Sequence, residues 1–213
     1  MIWDSGRRGY HHGNLREALV QAALALIAEK GPSGFSFAEA SRAAGVSPAA
    51  PYRHYRDRDA LMADVASRGF ERFAAALGEA WRGGKPDPIQ AFLNMGRAYI
   101  AFARAEPALY AAMFESALPR GTYPNLDEAG SRAFAVVREA SEAVVATLPS
   151  ADRPPALMMS LHAWSMAHGI AALFARGDSG RRPIPMSAED LLEAEMHIYL
   201  QGLRGSPPGK AQE

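Results

Sequence analysis

Four side chains suited to contacting phosphate lie in one short stretch of the sequence: Tyr52, Arg53, His54 and Arg58. Hydroxyl, guanidinium and imidazole groups donate hydrogen bonds to phosphate oxygens, the most frequent protein contacts to DNA. Three small residues precede them: Pro48, Ala49 and Ala50. Their backbone N–H groups could approach a nucleic acid closely, so the chemistry predicted here is contact with a DNA groove and its phosphates.

Two short predicted helices place these residues. Ser36 and Glu39 have the spacing of a capping box and open a helix that stops at Gly45. Ser47, followed by proline, opens a second helix that is expected to run from residue 48 to about residue 55. A turn of three or four residues that contains glycine separates the two helices. This spacing predicts a helix-turn-helix.

Predicted helices flank this motif. Asn14 begins one, with Glu17 at capping-box spacing and Gly31 at its end, and Asp57 begins another. Beyond residue 87, five further helices are expected, beginning at residues 88, 107, about 126, 154 and 188. No stretch alternates as a strand would, so the predicted fold class is all-α. It comprises an N-terminal three-helix helix-turn-helix domain and a larger helical domain.

Composition excludes some classes of function. The chain has 213 residues, no net charge and no cysteine, which rules out disulfides and a cysteine nucleophile. Residues 1–60 hold eight Lys/Arg and six Asp/Glu, so charge alone does not predict DNA binding. No catalytic or nucleotide-binding motif is present, and adjacent His11 and His12 make a weak metal site. We therefore expect no enzyme, cofactor or metal, and a cytoplasmic protein without a signal peptide or membrane helix.

Across residues 15–61 the sequence resembles the tetracycline-repressor (TetR-type) family of transcriptional regulators. The opening helix LREALVQAALALIAEKG, the turn AGVS and the aromatic pair Tyr52 and Tyr55 match the family pattern, and Ser36 stands where threonine is usual. The resemblance implies that Ser36, Tyr52, His54 and Arg58 contact phosphate and that Arg53 lies near the base edges with the small residues before it. The predicted DNA-binding residues are Ser36, Ser47, Pro48, Ala49, Ala50, Tyr52, Arg53, His54 and Arg58.

Three features depart from the family pattern. Ala40 stands where a larger aliphatic residue is usual, so Phe37 is expected to fill the core there. Pro51 replaces an aliphatic residue and is expected to remove one backbone hydrogen bond. Residues 49 and 50 are alanines in place of more polar groups, which leaves thymine methyl contact and Arg53 to read bases.

The resemblance also implies a ligand-binding second domain. Trp164 and His168, followed by glycine, resemble a signature of one branch of the family. Apolar residues with polar groups cluster here, and core packing is the alternative interpretation of each one singly. The predicted ligand-pocket residues are Phe92, Tyr99, Tyr110, Met113, Phe114, Trp164 and His168. A small apolar ligand, no membrane, and a homodimer formed by the last two helices are expected.

The predicted organisation has three parts: a DNA-binding domain over residues 1–60, a helical ligand-binding and dimerisation domain over residues 61–205, and a tail over residues 206–213. Residues 1–13 include Arg7, Arg8, Tyr10 and the two histidines. They are interpreted either as a basic arm that reaches DNA or as a solvated segment.

The predicted function is a ligand-responsive repressor that binds a palindromic operator as a homodimer and is released by the ligand; activation is the other possible output. A helical protein-interaction module without DNA binding and a small-molecule-binding helical enzyme stay as alternatives.

Overall fold

The computed structural model describes residues 14–150, 153–175 and 184–205, and this part of the chain is helical without strands. Its α-helices are, in chain order, α1 (Asn14–Lys30), α2 (Phe37–Ala43), α3 (Arg58–Trp81), α4 (Pro88–Ala105), α5 (Pro107–Phe114), α6 (Pro124–Thr147), α7 (Ala156–Ala175) and α8 (Ala188–Gly205). The all-α class is confirmed. The predicted arm at residues 1–13 and tail at residues 206–213 lie outside the described residues.

Local chemistry explains where the helices begin and end. Ser36 forms the predicted capping box: its side chain accepts from the backbone N–H of Glu39, whose carboxylate accepts from the backbone N–H of Ser36. Asp57 caps α3 by accepting from the N–H of Ala60 at 2.8 Å. Gly31 follows α1 with φ +77°, the left-handed conformation that lets a glycine end a helix.

The helix expected over residues 48–55 is shorter and tighter than predicted. The structure has a four-residue 3-10 turn, Ala50–Arg53, in its place. The N–H of Ala50 bonds to the carbonyl of Ser47, three residues back, at 3.1 Å. Pro48 and Pro51 have no N–H, so Pro51 cannot supply the bond to Ser47 that an α-helix would need. The sequence prediction underestimated the effect of this second proline on the helix.

Helix α3 is the centre of the molecule. It packs against α4, α5 and α6, while α1 packs against α2, α3 and α5. One continuous buried core therefore runs from Leu19 and Leu61 near the N-terminus to Phe73, Met159 and Met196 further along. The proposed domain boundary at residues 60/61 falls within the first turn of α3.

Helix α7 is unusual in its composition. Residues Ala156–Phe174 have a mean hydropathy of 1.2, enough by length and composition to cross a membrane, and 33% of this stretch is buried in the fold. No membrane helix was expected from the sequence; this helix meets the length and composition criterion, which core helices of soluble proteins also meet. Four large apolar side chains on this helix are exposed: Leu157, Met158, Leu161 and Leu173.

Candidate DNA-binding site and ligand cavities

The 3-10 turn presents its polar side chains outward. Tyr52, Arg53 and His54 are exposed, and Tyr52 retains 63% of its accessible surface. Ser47, Pro48 and Ala49 are also exposed, and Ala50 is half-buried. In the described residues, no hydrogen bond or ion pair involves the side chains of Tyr52, Arg53 or His54. Their donors therefore remain available to an external acceptor.

A partly buried tether fixes the end of this turn. The Tyr55 hydroxyl donates to Oδ2 of Asp64 on α3 at 2.5 Å, and Arg16 of α1 donates to both oxygens of that carboxylate at 2.7 and 3.1 Å. Arg68 approaches the same carboxylate to 3.5 Å. One carboxylate thus joins α1, α3 and the residue that follows the turn.

The hydrogen bonds of the tether determine the protonation states of Asp64 and Tyr55. Burial alone would raise the pKa of Asp64, but hydrogen bonds from Tyr55 and Arg16 outweigh burial and hold the pKa below its ordinary value. Burial, together with the bond to Asp64, raises the pKa of Tyr55. Asp64 is therefore a carboxylate and Tyr55 a neutral phenol at neutral pH, which keeps the tether intact.

Ser36 and Arg58 are already engaged within the chain. The Ser36 hydroxyl donates to Glu39 at 2.9 Å, and Lys30 binds the same carboxylate at 2.8 Å. Bonds from Lys30, and then from Ser36, lower the pKa of Glu39 to about 2. Arg58 donates from Nε to the carbonyl of Phe35 at 2.9 Å and from Nη2 to the carbonyl of residue 32, and its guanidinium lies 4.8 Å from the centre of the Phe35 ring. Both side chains hold α2 and the preceding loop in place.

Phe37 has a position that the sequence did not reveal. It is half-buried against the core, as expected from the small Ala40, and its ring also meets that of Tyr52. The ring centres are 5.2 Å apart and the planes cross at 84°. The partners are separated in sequence by the whole helix-turn-helix corner, so no local pattern predicts the pairing.

A second contact missed by sequence reasoning joins the two parts of the chain. Arg56 lies between the 3-10 turn and α3, and its Nη2 is 3.3 Å from the hydroxyl of Tyr123, just before α6. Its guanidinium lies 5.5 Å from the centre of the Tyr123 ring. The hydrogen-bonded residues are 67 positions apart, a separation beyond any spacing rule.

The predicted ligand-pocket residues are close together in space. Phe92, Tyr99 and Trp164 line an inner cavity of about 20 Å³ between α3, α4, α6, α7 and α8, and its walls have no polar surface. Such a volume holds about one water molecule. Tyr110, Met113, Phe114 and His168 do not line it.

Aromatic rings surround His168. We define the aromatic cluster as Phe73, Tyr99, Tyr110, Phe114, Trp164 and His168, whose ring contacts have centre separations between 4.8 and 6.4 Å. His168 Nδ1 is 2.8 Å from the Tyr110 hydroxyl and 3.0 Å from the Tyr99 hydroxyl. Burial lowers the pKa of His168, against a smaller opposing effect of Glu115. A neutral imidazole and two phenols thus satisfy one another inside an apolar environment.

A larger outer cavity, of about 370 Å³, lies where the end of α4 meets α5, α7 and the start of α8. It is lined by Ile100, Ala103, Arg104, Pro107, Ala171, Phe174, Ser187, Ala188 and Glu189. Arg104 and Glu189 form an ion pair at 2.7 Å on its rim. None of the predicted pocket residues lines this cavity, because its walls are assembled from helix ends distant in sequence.

The comparisons with known proteins agree with this geometry. Residues 19–65 match the model for bacterial regulatory proteins of the tetR family, and residues 92–199 match that of the tetracyclin repressor-like C-terminal domain. The chain therefore belongs to the tetracycline-repressor family of transcriptional regulators. This is a family of DNA-binding regulators and not of enzymes. Its members are soluble proteins.

Individual proteins are similar to this chain at 19–31% sequence identity. A protein of unknown function from Rhodococcus sp. RHA1 is 31% identical, with a TM-score of 0.76 over 92% of this chain and 99% of that one. The TetR-family regulator PfmR from Thermus thermophilus is 19% identical, with a TM-score of 0.67 over 86% and 97%. The uncharacterized HTH-type regulator YobS from Bacillus subtilis (strain 168) is 29% identical over 100 residues, 47% of this chain and 51% of that protein. The matched segment thus spans about half the length of that curated relative.

Proposed function

We propose that this family member is a homodimeric repressor that binds a palindromic operator in the cytoplasm and is released by a small apolar ligand. The observation that carries the proposal is the 3-10 turn with the residue after it, where the side chains of Tyr52, Arg53 and His54 are exposed and have no hydrogen-bond or ion-pair partner among the described residues. The Tyr55–Asp64 tether holds that turn against the helices behind it.

Different contacts are assigned to the three exposed side chains. Tyr52 and His54 contact phosphates, and Arg53 reads a base edge, because the small residues 48–50 around it leave no other long side chain near the groove. Arg58 has N–H groups left over from its internal bonds with which to reach a phosphate. A phosphate contact by Ser36 would have to replace its hydrogen bond to Glu39.

A gel shift on DNA from upstream of the protein's own gene, titrated with salt, tests the first part of the proposal. Arg53→Ala should weaken binding to the operator by about 1–3 kcal/mol and affect unrelated DNA less. Arg138→Ala is the matched control, since this exposed arginine on α6 forms an ion pair with Glu142 on the same helix, at 3.6 Å. Equal losses on operator and unrelated DNA would assign Arg53 to phosphate instead. Failure of the wild-type protein to bind any fragment at low salt would favour the interaction-module alternative.

The homodimer is proposed from exposed apolar side chains on the last two helices. Leu157, Leu161 and Leu173 on α7 are 49–55% exposed, and Ile198 on α8 is 69% exposed. We propose that these side chains form one patch, the kind of surface that marks an association site, and that a second copy of the chain covers it without a membrane.

Light scattering without detergent tests this arrangement. The double variant Leu161→Glu/Ile198→Glu should convert a dimer into a folded monomer, because unpaired carboxylates would be buried at the interface. Ala75→Glu, at an exposed position on α3, is the control. A wild-type monomer, or a dimer that survives the double substitution, would contradict the proposed interface.

The ligand is proposed to be small and uncharged. The inner cavity has no polar wall, and the polar groups of Tyr99, Tyr110 and His168 already bond to each other, so a buried charge would find no partner. The inner cavity must enlarge to admit a ligand, and Met95 and Met196 on its wall are flexible enough to move. The outer cavity already has the size of a small-molecule site.

One matched pair of substitutions distinguishes the two cavities. Ala163 lines the inner cavity and Ala171 the outer one, both are buried, and both lie on α7. Thermal shifts with a panel of neutral lipophilic compounds, followed by DNA release, would identify a ligand. Ala163→Leu should abolish its binding if it occupies the inner cavity, and Ala171→Leu if it occupies the outer one. If no compound both stabilises the protein and releases DNA, ligand control is contradicted.

A further inference from the structure

Few backbone hydrogen bonds involve the 3-10 turn. In the described part of the chain, those beyond the turn itself run from Ala50 to Ser47 and from His54 and Tyr55 to Pro51, at 2.9–3.1 Å. Two prolines in this short segment supply no N–H at all. A four-residue turn with so few bonds does not by itself determine where an exposed side chain points. The direction of the Tyr52 side chain therefore depends on what its ring contacts.

We propose that Phe37 is a positioning residue for Tyr52, holding the phenol ring in the direction from which its hydroxyl reaches a DNA phosphate. The inference rests on the phosphate contact proposed above for Tyr52. Phe37 is the first residue of α2, directly after the capping serine, and its side chain is half-buried against the core. Packing therefore fixes the direction of the Phe37 ring, and this ring can orient a side chain that contacts it.

The ring geometry is specific. The rings of Phe37 and Tyr52 meet edge to face, with centres 5.2 Å apart and planes at 84°, the arrangement that aromatic quadrupoles favour. Tyr52 is 63% exposed, so burial does not restrict its rotamers. Its hydroxyl makes no hydrogen bond within the described ranges, so the ring contact orients the side chain without using the group that binds.

This contact lowers the cost of binding. An exposed tyrosine that must be immobilised on DNA loses rotamer freedom, and a tyrosine already oriented avoids that loss. Replacing Phe37 by leucine keeps the apolar bulk and removes the flat ring, so DNA affinity should fall about 3–10-fold. The phenol is neutral and releases no counterion, so the salt dependence of binding should not change.

A double-mutant cycle in DNA affinity tests the proposal. The wild type, Phe37→Leu, Tyr52→Phe and the double variant are measured on two duplexes of equal length, one from upstream of the gene and one unrelated. Tyr52→Phe should weaken binding about 10-fold on both duplexes, since a hydrogen bond to a charged phosphate is lost. Phe37→Leu should weaken binding in the wild type and have little effect beside Tyr52→Phe.

The possible outcomes distinguish the phosphate contact of Tyr52 from the positioning role of Phe37. If Tyr52→Phe binds DNA as the wild type does, the phosphate contact itself is wrong. If Tyr52→Phe is defective but Phe37→Leu causes the same loss in both backgrounds, only the positioning role is overturned. Phe37→Tyr retains a ring and should restore affinity. Val46→Ala, at a half-buried position in the same corner, controls for a general loss of stability.

A second measurement protects the test against misfolding. Thermal unfolding identifies any variant that fails to fold, and Phe37→Met then replaces Phe37→Leu. In the free wild-type protein, nuclear Overhauser contacts between the two rings should be present without DNA. Their absence from a folded wild-type protein would overturn the proposal independently of affinity.

Discussion

The 3-10 turn and the aromatic cluster are stabilised by opposite kinds of contact. The turn has four residues, exposes its polar side chains, and is attached through charged hydrogen bonds that converge on Asp64. The aromatic cluster has buried or half-buried rings and neutral hydrogen bonds centred on His168. Charged bonds at a partly exposed site depend on pH and on solvent, whereas ring packing depends on volume and shape.

The difference fits two tasks within one regulator. A surface that binds phosphates must leave its donors free, so its own shape has to be maintained from behind. A core that admits a small apolar ligand must instead have no unsatisfied polar group of its own. The cluster meets this condition, because the side chains of the described residues have no buried polar atom without a partner.

The largest effect should come from truncating the aromatic cluster. Phe73 is fully buried and meets the rings of Tyr99, Phe102 and Trp164. Phe73→Ala should reduce the free energy of unfolding by about 3–5 kcal/mol, measured by urea denaturation. Phe73→Leu, which leaves a smaller cavity, should cost less. A loss below about 1 kcal/mol for the alanine variant would mean that ring packing does not dominate this region.

A smaller and more local effect is expected at the tether. Asp64→Asn retains the shape but removes the charge that Arg16 and Tyr55 bind, and should lower the free energy of unfolding by about 1–3 kcal/mol. Hydrogen exchange should accelerate mainly in α1 and around the 3-10 turn. Glu142→Gln, which breaks an exposed ion pair on α6, should change almost nothing. Destabilisation spread evenly over all helices would contradict a local tether.

The sequence predicted where helices begin, but it did not predict the form of the 3-10 turn. Helix starts at Ser36, Asp57 and residue 88 were predictable, because a cap acts within three residues of itself. The 3-10 turn was predicted as an α-helix because proline at a first helical position is usually harmless. The second proline, three residues later, lacks the N–H that an α-helix would use at position 51.

Site geometry was harder to predict than the fold. The exposed donors at residues 52–54 could be named because their chemistry is local. The pairing of Phe37 with Tyr52, the Arg58 bonds to the preceding loop and the outer cavity depend on chain segments brought together only by folding. For the aromatic cluster, residue types indicated a pocket, but only packing reveals that the inner cavity is nearly filled.

The smallest predicted effect is a loss of stability with falling pH, which should occur at a different pH for the aromatic cluster than for the tether. Burial lowers the pKa of His168 from an ordinary value of 6.5, so the folded state binds fewer protons there than the unfolded state. The corresponding stability is complete above pH 6.5 and is lost as the pH falls through the folded pKa. Asp64 has a pKa below its ordinary 3.8, so its contribution is lost only in more acidic solution.

Thermal unfolding measured from pH 8 to pH 3 should therefore show two successive losses of stability in the wild-type protein. His168→Gln should abolish the first and keep the second, while Asp64→Asn should keep the first and reduce the second, to which Glu39 with its lowered pKa also contributes. Glu115 acts against the first loss by favouring the imidazolium, so Glu115→Gln should enlarge it. If the first loss of stability persists in His168→Gln, another group titrates in that pH range, and this histidine does not cause the acid sensitivity of the core.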